Sequence, residues 1–213
     1  MRQRQRPRAE RLAAMILGRF LAASSEFDRR LSSVRPEQWT APTPCAEWNV
    51  RQLVNHMVRG NLNYVDLLAG GTREQFLHMR DADALGDDPF AAYPASVRLV
   101  ADAFGRPGAL EQVLDYPLGK VTGHQALAVR ATDSAVHAWD LAQALGVDDR
   151  LDPALVAWIS ENLEMIYAGL AESPVAADTT HRFFAEPGVL SEPASLQERL
   201  LHLMGRNPGW QRD

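Results

Sequence analysis

Between Thr122 and Gly146 the chain carries a helix signal at each end: Thr122 with Gln125 three residues on is a capping-box pattern, and Leu145-Gly146 supplies a glycine stop. Inside that segment, Asp133 and His137 stand four positions apart in the run Ala131-Thr-Asp-Ser-Ala-Val-His-Ala-Trp-Asp-Leu-Ala142. Helical spacing stacks the two side chains on one face, so two metal-ligand residue types point the same way. A third candidate, His56, lies in Leu53-Val-Asn-His-Met-Val58, another apolar stretch with helical period. Two such helices side by side would bring three N/O donors together and leave coordination positions open for water or a substrate.

At 213 residues and 46% hydrophobic content, the chain is long enough for one well-buried domain. Cys45 is the only cysteine, which excludes an intramolecular disulfide and a thiolate-rich zinc site and points to a cytoplasmic location. No apolar run approaches the roughly 20 residues of a membrane span, and the apolar segment after the basic start is too short for a secretory signal. The formal charge is −5, yet residues 1 to 12 hold five arginines against one glutamate, so the remainder is more acidic than the total suggests. An acidic body without a basic stripe argues against nucleic acid as a partner. Residues 1–8 are expected to form a disordered basic arm, and residues 9–210 a single domain.

The remaining pattern is helical. Leu12, Met15, Ile16, Phe20, Phe27 and Leu31 recur at intervals of three and four, predicting a helix from Glu10 to about Val34. Asn49 with Gln52 is a second capping box, opening a helix that carries His56 and stops at Gly70-Gly71. The polar stretch from Thr72 to Asp87 reads as a loop, and Asp88-Pro89 opens a helix over Phe90 to Phe104. Glu111 to Lys120 alternates weakly and suggests a short extended hairpin. Asp152-Pro153 starts a helix to about Ala171, and a last short helix covers Ser195 to Met204, with Trp210 packing back on the body. Arg59 and Asn63 follow His56 near the same helical face and could meet an anionic substrate, while Trp48 could wall a pocket. Asp140, three residues after His137, could orient an imidazole as a second-layer partner. Cys45 reads as a buried loop residue, and His78, His124, His181 and His202 lack a partner at ligand spacing.

Two motifs carry a resemblance. The run Pro42-Thr-Pro-Cys-Ala-Glu-Trp-Asn-Val-Arg-Gln-Leu-Val-Asn-His56, followed by Val136-His-Ala-Trp-Asp-Leu-Ala-Gln-Ala144, resembles the mycothiol-dependent maleylpyruvate isomerase family of actinobacteria, within the DinB-like metalloenzyme superfamily. The resemblance covers about residues 9 to 210 and is nearest to the uncharacterised single-domain branch. It implies an all-α fold, a DinB-like four-helix bundle with up-down-down-up connection, to which short extra helices and a hairpin are added. It further implies one divalent metal held by His56, Asp133 and His137, with zinc first and nickel, iron or manganese as alternatives. Asp133 stands where the isomerases carry a glutamate, one methylene longer. The function implied is a metal-dependent transferase or isomerase that uses mycothiol as cosubstrate; the alternative is a non-catalytic metal-binding bundle with a regulatory or partner-docking role. Partners are accordingly expected to be a small-molecule thiol and an electrophile, with no membrane, and a homodimer is allowed for. The isomerases carry a further C-terminal lobe with a functional arginine, so maleylpyruvate itself is not the expected substrate, and Arg199 and Arg206 receive no role.

Overall fold

The computed structural model describes residues 2–46, 48–171, 190 and 193–211. Among these, seven α-helices and one two-stranded sheet follow in the order α1 (Arg2–Leu31), α2 (Val50–Leu68), α3 (Arg73–Met79), α4 (Pro89–Phe104), β1 (Val113–Tyr116), β2 (Gly119–Thr122), α5 (Gly123–Leu145), α6 (Pro153–Ile166) and α7 (Leu196–Leu203).

Helices α1, α2, α4 and α5 form the bundle, with α1 against α5 and α2 against α4 as the most extensive pairs. Arg30, near the end of α1, donates to the Arg150 carbonyl at 2.9 Å, and Gln38 donates to the Leu145 carbonyl at 3.4 Å, so the C-terminal ends of α1 and α5 lie together. Helix α2 runs against α5, because Met57 and Asn61 meet Arg130 early in α5 while His56 meets Asp133 further along it. Phe90 at the start of α4 packs on Trp39 beyond the end of α1, and Ala109 beyond α4 touches Gly123 at the start of α5. Two helices therefore run one way and two the other, in up-down-down-up order. Phe20, Phe27, Leu53, Met57, Tyr93, Leu127 and Trp139 are fully buried between them.

Local signals explain most boundaries. Asn49 accepts from the Gln52 amide at 2.9 Å and the Gln52 side chain accepts from the Asn49 amide at 3.0 Å, closing the capping box that starts α2. Thr122 accepts from the Gln125 amide at 3.2 Å, but the Gln125 side chain turns away to donate to the carbonyls of Ile166 and Ala168, tying the end of α6 to the start of α5. Gly146 ends α5 with φ of 67°, a conformation glycine takes at no steric cost.

Several expectations are corrected. Helix α1 runs from Arg2 to Leu31, starting earlier and stopping sooner than the expected Glu10 to Val34. The stretch from Thr72 is not a loop throughout: α3 forms there, with Thr72 and Gln75 making a further reciprocal capping box. Helix α6 stops at Ile166 rather than near Ala171. The hairpin forms with Leu114 opposite Val121, and Trp210 is partly buried against the core. The stretch from 173 to 193, His181 included, lies almost wholly outside the described residues.

Candidate functional site

From Ala126 to Ala142, α5 is buried at every position but one, and the exception is Asp133. Its carboxylate opens onto a cavity of about 410 Å³ lined on one side by Cys45, Trp48, His56, Arg130, His137 and Arg206. His137 Nε2 lies 3.3 Å from Asp133 Oδ1, and His56 Nε2, reaching across from α2, lies 3.6 Å from Asp133 Oδ2. The two imidazole centres are 4.9 Å apart in an edge-on arrangement, and the three donor atoms lie within 4.8 Å of one another. The structure thus brings together the three residues singled out in the sequence, from helices 77 positions apart at His56 and Asp133.

A divalent cation fits this donor set. Ligands about 2.0–2.2 Å from a tetrahedral ion stand roughly 3.3–3.6 Å from one another, and each imidazole nitrogen stands at that spacing from one oxygen of Asp133. His56 Nε2 is buried and has no hydrogen-bond partner, a cost of the kind that a bound ligand removes. Two imidazoles and a carboxylate are also the ligand types that zinc and neighbouring divalent metals accept.

Charge is distributed so that the histidines differ. Burial pushes the His56 imidazole down to about 4, against the upward pull of Asp133, and leaves it neutral. Burial would lower His137 too, but Asp133 and Asp140 on either side raise it well above the ordinary histidine value. The Asp133 carboxyl, which burial alone would raise, is held far below the carboxylate range by His137, His56 and Arg130.

Asp140 accepts from His137 Nδ1 at 2.8 Å, the contact that an imidazole-orienting partner requires, and so leaves Nε2 facing Asp133. Asp140 is fully buried and takes two bonds from Arg206, at 2.7 Å and 3.2 Å. Cys45 is partly buried rather than buried, with its sulfur 3.3 Å from Asp140 and 3.1 Å from Arg206 Nη2. Cys45, His137 and Asp140 form a second donor group, but the Arg206 guanidinium already supplies positive charge to its sulfur and carboxylate. Cys45 is therefore on the Nδ1 side of His137, away from the His56 and Asp133 donors.

Sequence reasoning assigns Arg206 no role and misses Arg130 altogether. The Arg130 side chain is almost wholly buried, donating to Asn61 Oδ1 at 2.7 Å, to the Met57 carbonyl at 2.6 Å and to Asp133 Oδ2. Asn61 is held in turn by donating to Ser96 at 2.9 Å. A Cβ on Gly60 would stand 2.8 Å from Arg130 Nη1, so the glycine makes room for the guanidinium. A buried arginine on an apolar helix has no local sequence signature; the Gly60 notch and the Asn61 acceptor are a turn of α2 away from any motif.

Trp48 stacks on His56 with centres 4.4 Å apart and contacts His137 at 5.7 Å, walling the donor group. Asn63 lines the cavity. Arg59 does not line it: its guanidinium donates to the carbonyls of Ala82 and Asp83, drawn to the loop after α3. No helix among the described residues is long and apolar enough to cross a membrane.

Residues 20–142 match the family model described as the mycothiol maleylpyruvate isomerase N-terminal domain. Two uncharacterised proteins of Mycobacterium tuberculosis, one from each of two strains, are 36% identical to this chain over 133 residues, which is 62% of this chain and 69% of theirs. Crystal structures of the mycothiol-dependent maleylpyruvate isomerase and of a mutant of it align with a TM-score of 0.56 and 15% identity, covering 71% of this chain and 69% of theirs, a likeness of fold. The matched stretch contains His56, Asp133, His137 and Asp140 and more than half of the chain. The chain belongs to the mycothiol maleylpyruvate isomerase N-terminal domain family.

Proposed function

We propose that this protein is a divalent-metal-dependent enzyme that joins a low-molecular-weight thiol, of the mycothiol kind, to an electrophilic carbon in a transfer or isomerisation reaction. The observation that carries this reading is the orphaned His56 Nε2, buried beside Asp133 and His137 at the wall of a substrate-sized cavity. His56, Asp133 and His137 would hold the cation, with zinc the first choice for two imidazoles and one carboxylate. Bound there, the cation supplies positive charge that favours the thiolate form of an incoming thiol near neutral pH.

The chain's own residues do the rest. Asp140 fixes the tautomer and orientation of His137 through Nδ1, and Arg206 holds Asp140 in place. Arg130 anchors one carboxylate oxygen of Asp133, so the carboxylate cannot rotate freely. Trp48 covers the stacked face of His56 and keeps water from one side of the donors. The test is elemental analysis of untagged protein followed by a thiol-consumption assay with a panel of electrophiles. Bound metal with metal-dependent thiol loss supports the proposal; thiol loss that survives complete metal removal defeats it.

A further inference from the structure

The end of the cavity away from Cys45 is built differently from the donor end. Tyr64 of α2, Phe76 of α3 and Tyr116 of β1 form a triangle of rings with centres 5.8 to 6.0 Å apart, and Leu118 at the hairpin turn and Tyr167 line the same space. The triangle adjoins the donors, because the Arg130 guanidinium that bonds Asp133 lies 5.9 Å over the Tyr64 ring. Helix α3 is pinned there by its first amide, Arg73 N donating to Asp115 of β1 at 2.9 Å. Neither α3 nor the hairpin belongs to the four-helix bundle; what they contribute to this cavity is apolar and aromatic surface.

We infer that this aromatic compartment receives the apolar or aromatic body of the electrophile, so that the acceptor is an aryl or bulky alkyl compound rather than a small dianion. The inference deepens the thiol-transfer reading and rests on it for the word electrophile, while the compartment itself needs no metal. Three observations favour this occupant. Tyr64 and Tyr116 are buried, so little of either hydroxyl is open to a sugar or polyol that would need many partners. The Arg130 guanidinium beside the rings is already bonded to Asp133, Asn61 and the Met57 carbonyl, so it offers no open charge to a carboxylate. The three rings pack at T-shaped or tilted angles and line the cavity, the kind of wall against which a further aromatic ring packs favourably.

The test is calorimetric titration of the full chain, as purified, with 2-naphthol, and then with maleate and myo-inositol as competitors. Phe76 is only partly buried, on a helix with no buried residue, so Phe76→Ala should fold, and Tyr116→Phe keeps the ring while removing the hydroxyl. The expected result is naphthol binding that weakens about three- to tenfold in Phe76→Ala, the size of one aromatic contact, and is retained in Tyr116→Phe. Neither maleate nor myo-inositol should displace the probe. Absence of naphthol binding, equal binding in Phe76→Ala, loss in Tyr116→Phe, or displacement by either competitor would overturn the assignment. Metal content is read separately on the same samples, so failure of the cation site and failure of this compartment are told apart.

Discussion

His56 Nε2 and Asp133 Oδ2 face each other across 3.6 Å with no hydrogen bond between them, although both belong to a largely buried site. A nitrogen and a carboxylate that close would ordinarily shorten to a bond; their stand-off is the spacing of two ligands about one ion. Untagged protein prepared without chelator should therefore carry about one equivalent of divalent metal, as structural and catalytic N/O sites do. Mass-spectrometric metal analysis should show that His137→Ala removes it and that His78→Ala, altering an exposed residue of α3, does not. Equal metal in both variants would mean that other side chains hold it.

Metal uptake should release protons. In the metal-free chain His137 is held protonated by Asp133 and Asp140 to a pH well above the ordinary histidine value, whereas His56 is already neutral down to about 4. The His137 proton must leave before Nε2 can ligate, so affinity should climb with pH through the neutral range and level off above the raised value. Calorimetry in buffers of different ionisation enthalpy should register about one proton per metal near pH 7. Zero protons released would show that His137 is not displaced.

Removing the negative charge behind His137 should loosen the metal without unfolding the bundle. Asp140→Asn keeps the shape of the side chain but weakens both the Nδ1 contact and the pair with Arg206. A roughly 10- to 100-fold loss of metal affinity is expected, measured by competition with a chromogenic chelator. An unchanged affinity would leave Asp140 with a packing role alone.

Filling the notch at Gly60 should act through Arg130. Gly60→Ala places a methyl group 2.8 Å from Arg130 Nη1, and the guanidinium is tied to Asn61, the Met57 carbonyl and Asp133 at once, so it cannot swing aside cheaply. The cost should be about 1–3 kcal/mol in denaturant melts, typical of overpacking a tight interior, accompanied by weaker metal binding. A variant as stable as the parent would show that Arg130 relaxes freely.

How much of this was legible beforehand depended on how local the cause was. Asp133 and His137 are neighbours because a helix makes them so, and Asn49 with Gln52 starts α2 through contacts spanning three residues. His56 joins them through packing, which spacing alone leaves open; the family resemblance supplied that link. Arg206 reaches Asp140 across 66 positions from beyond α7, and Arg130 is buried only because Gly60 and Asn61 of another helix accommodate it. Such contacts are set by tertiary geometry, and no period in the chain announces them. Helix α3 was missed for another reason: its seven residues are mostly polar and bury none of their number, so hydrophobic periodicity was silent even though Thr72 and Gln75 spelled its cap.

Two of the three convergent donors ride on successive turns of α5, and the third arrives alone on α2. Asp133 and His137 therefore move as one piece, and the opening between them and His56 is governed by how far one rod slides or rolls against its neighbour. Any substitution along that seam, however remote from the cavity, becomes a dial on the aperture. Tuning of this site across evolution would be sought first in the residues that separate the two rods.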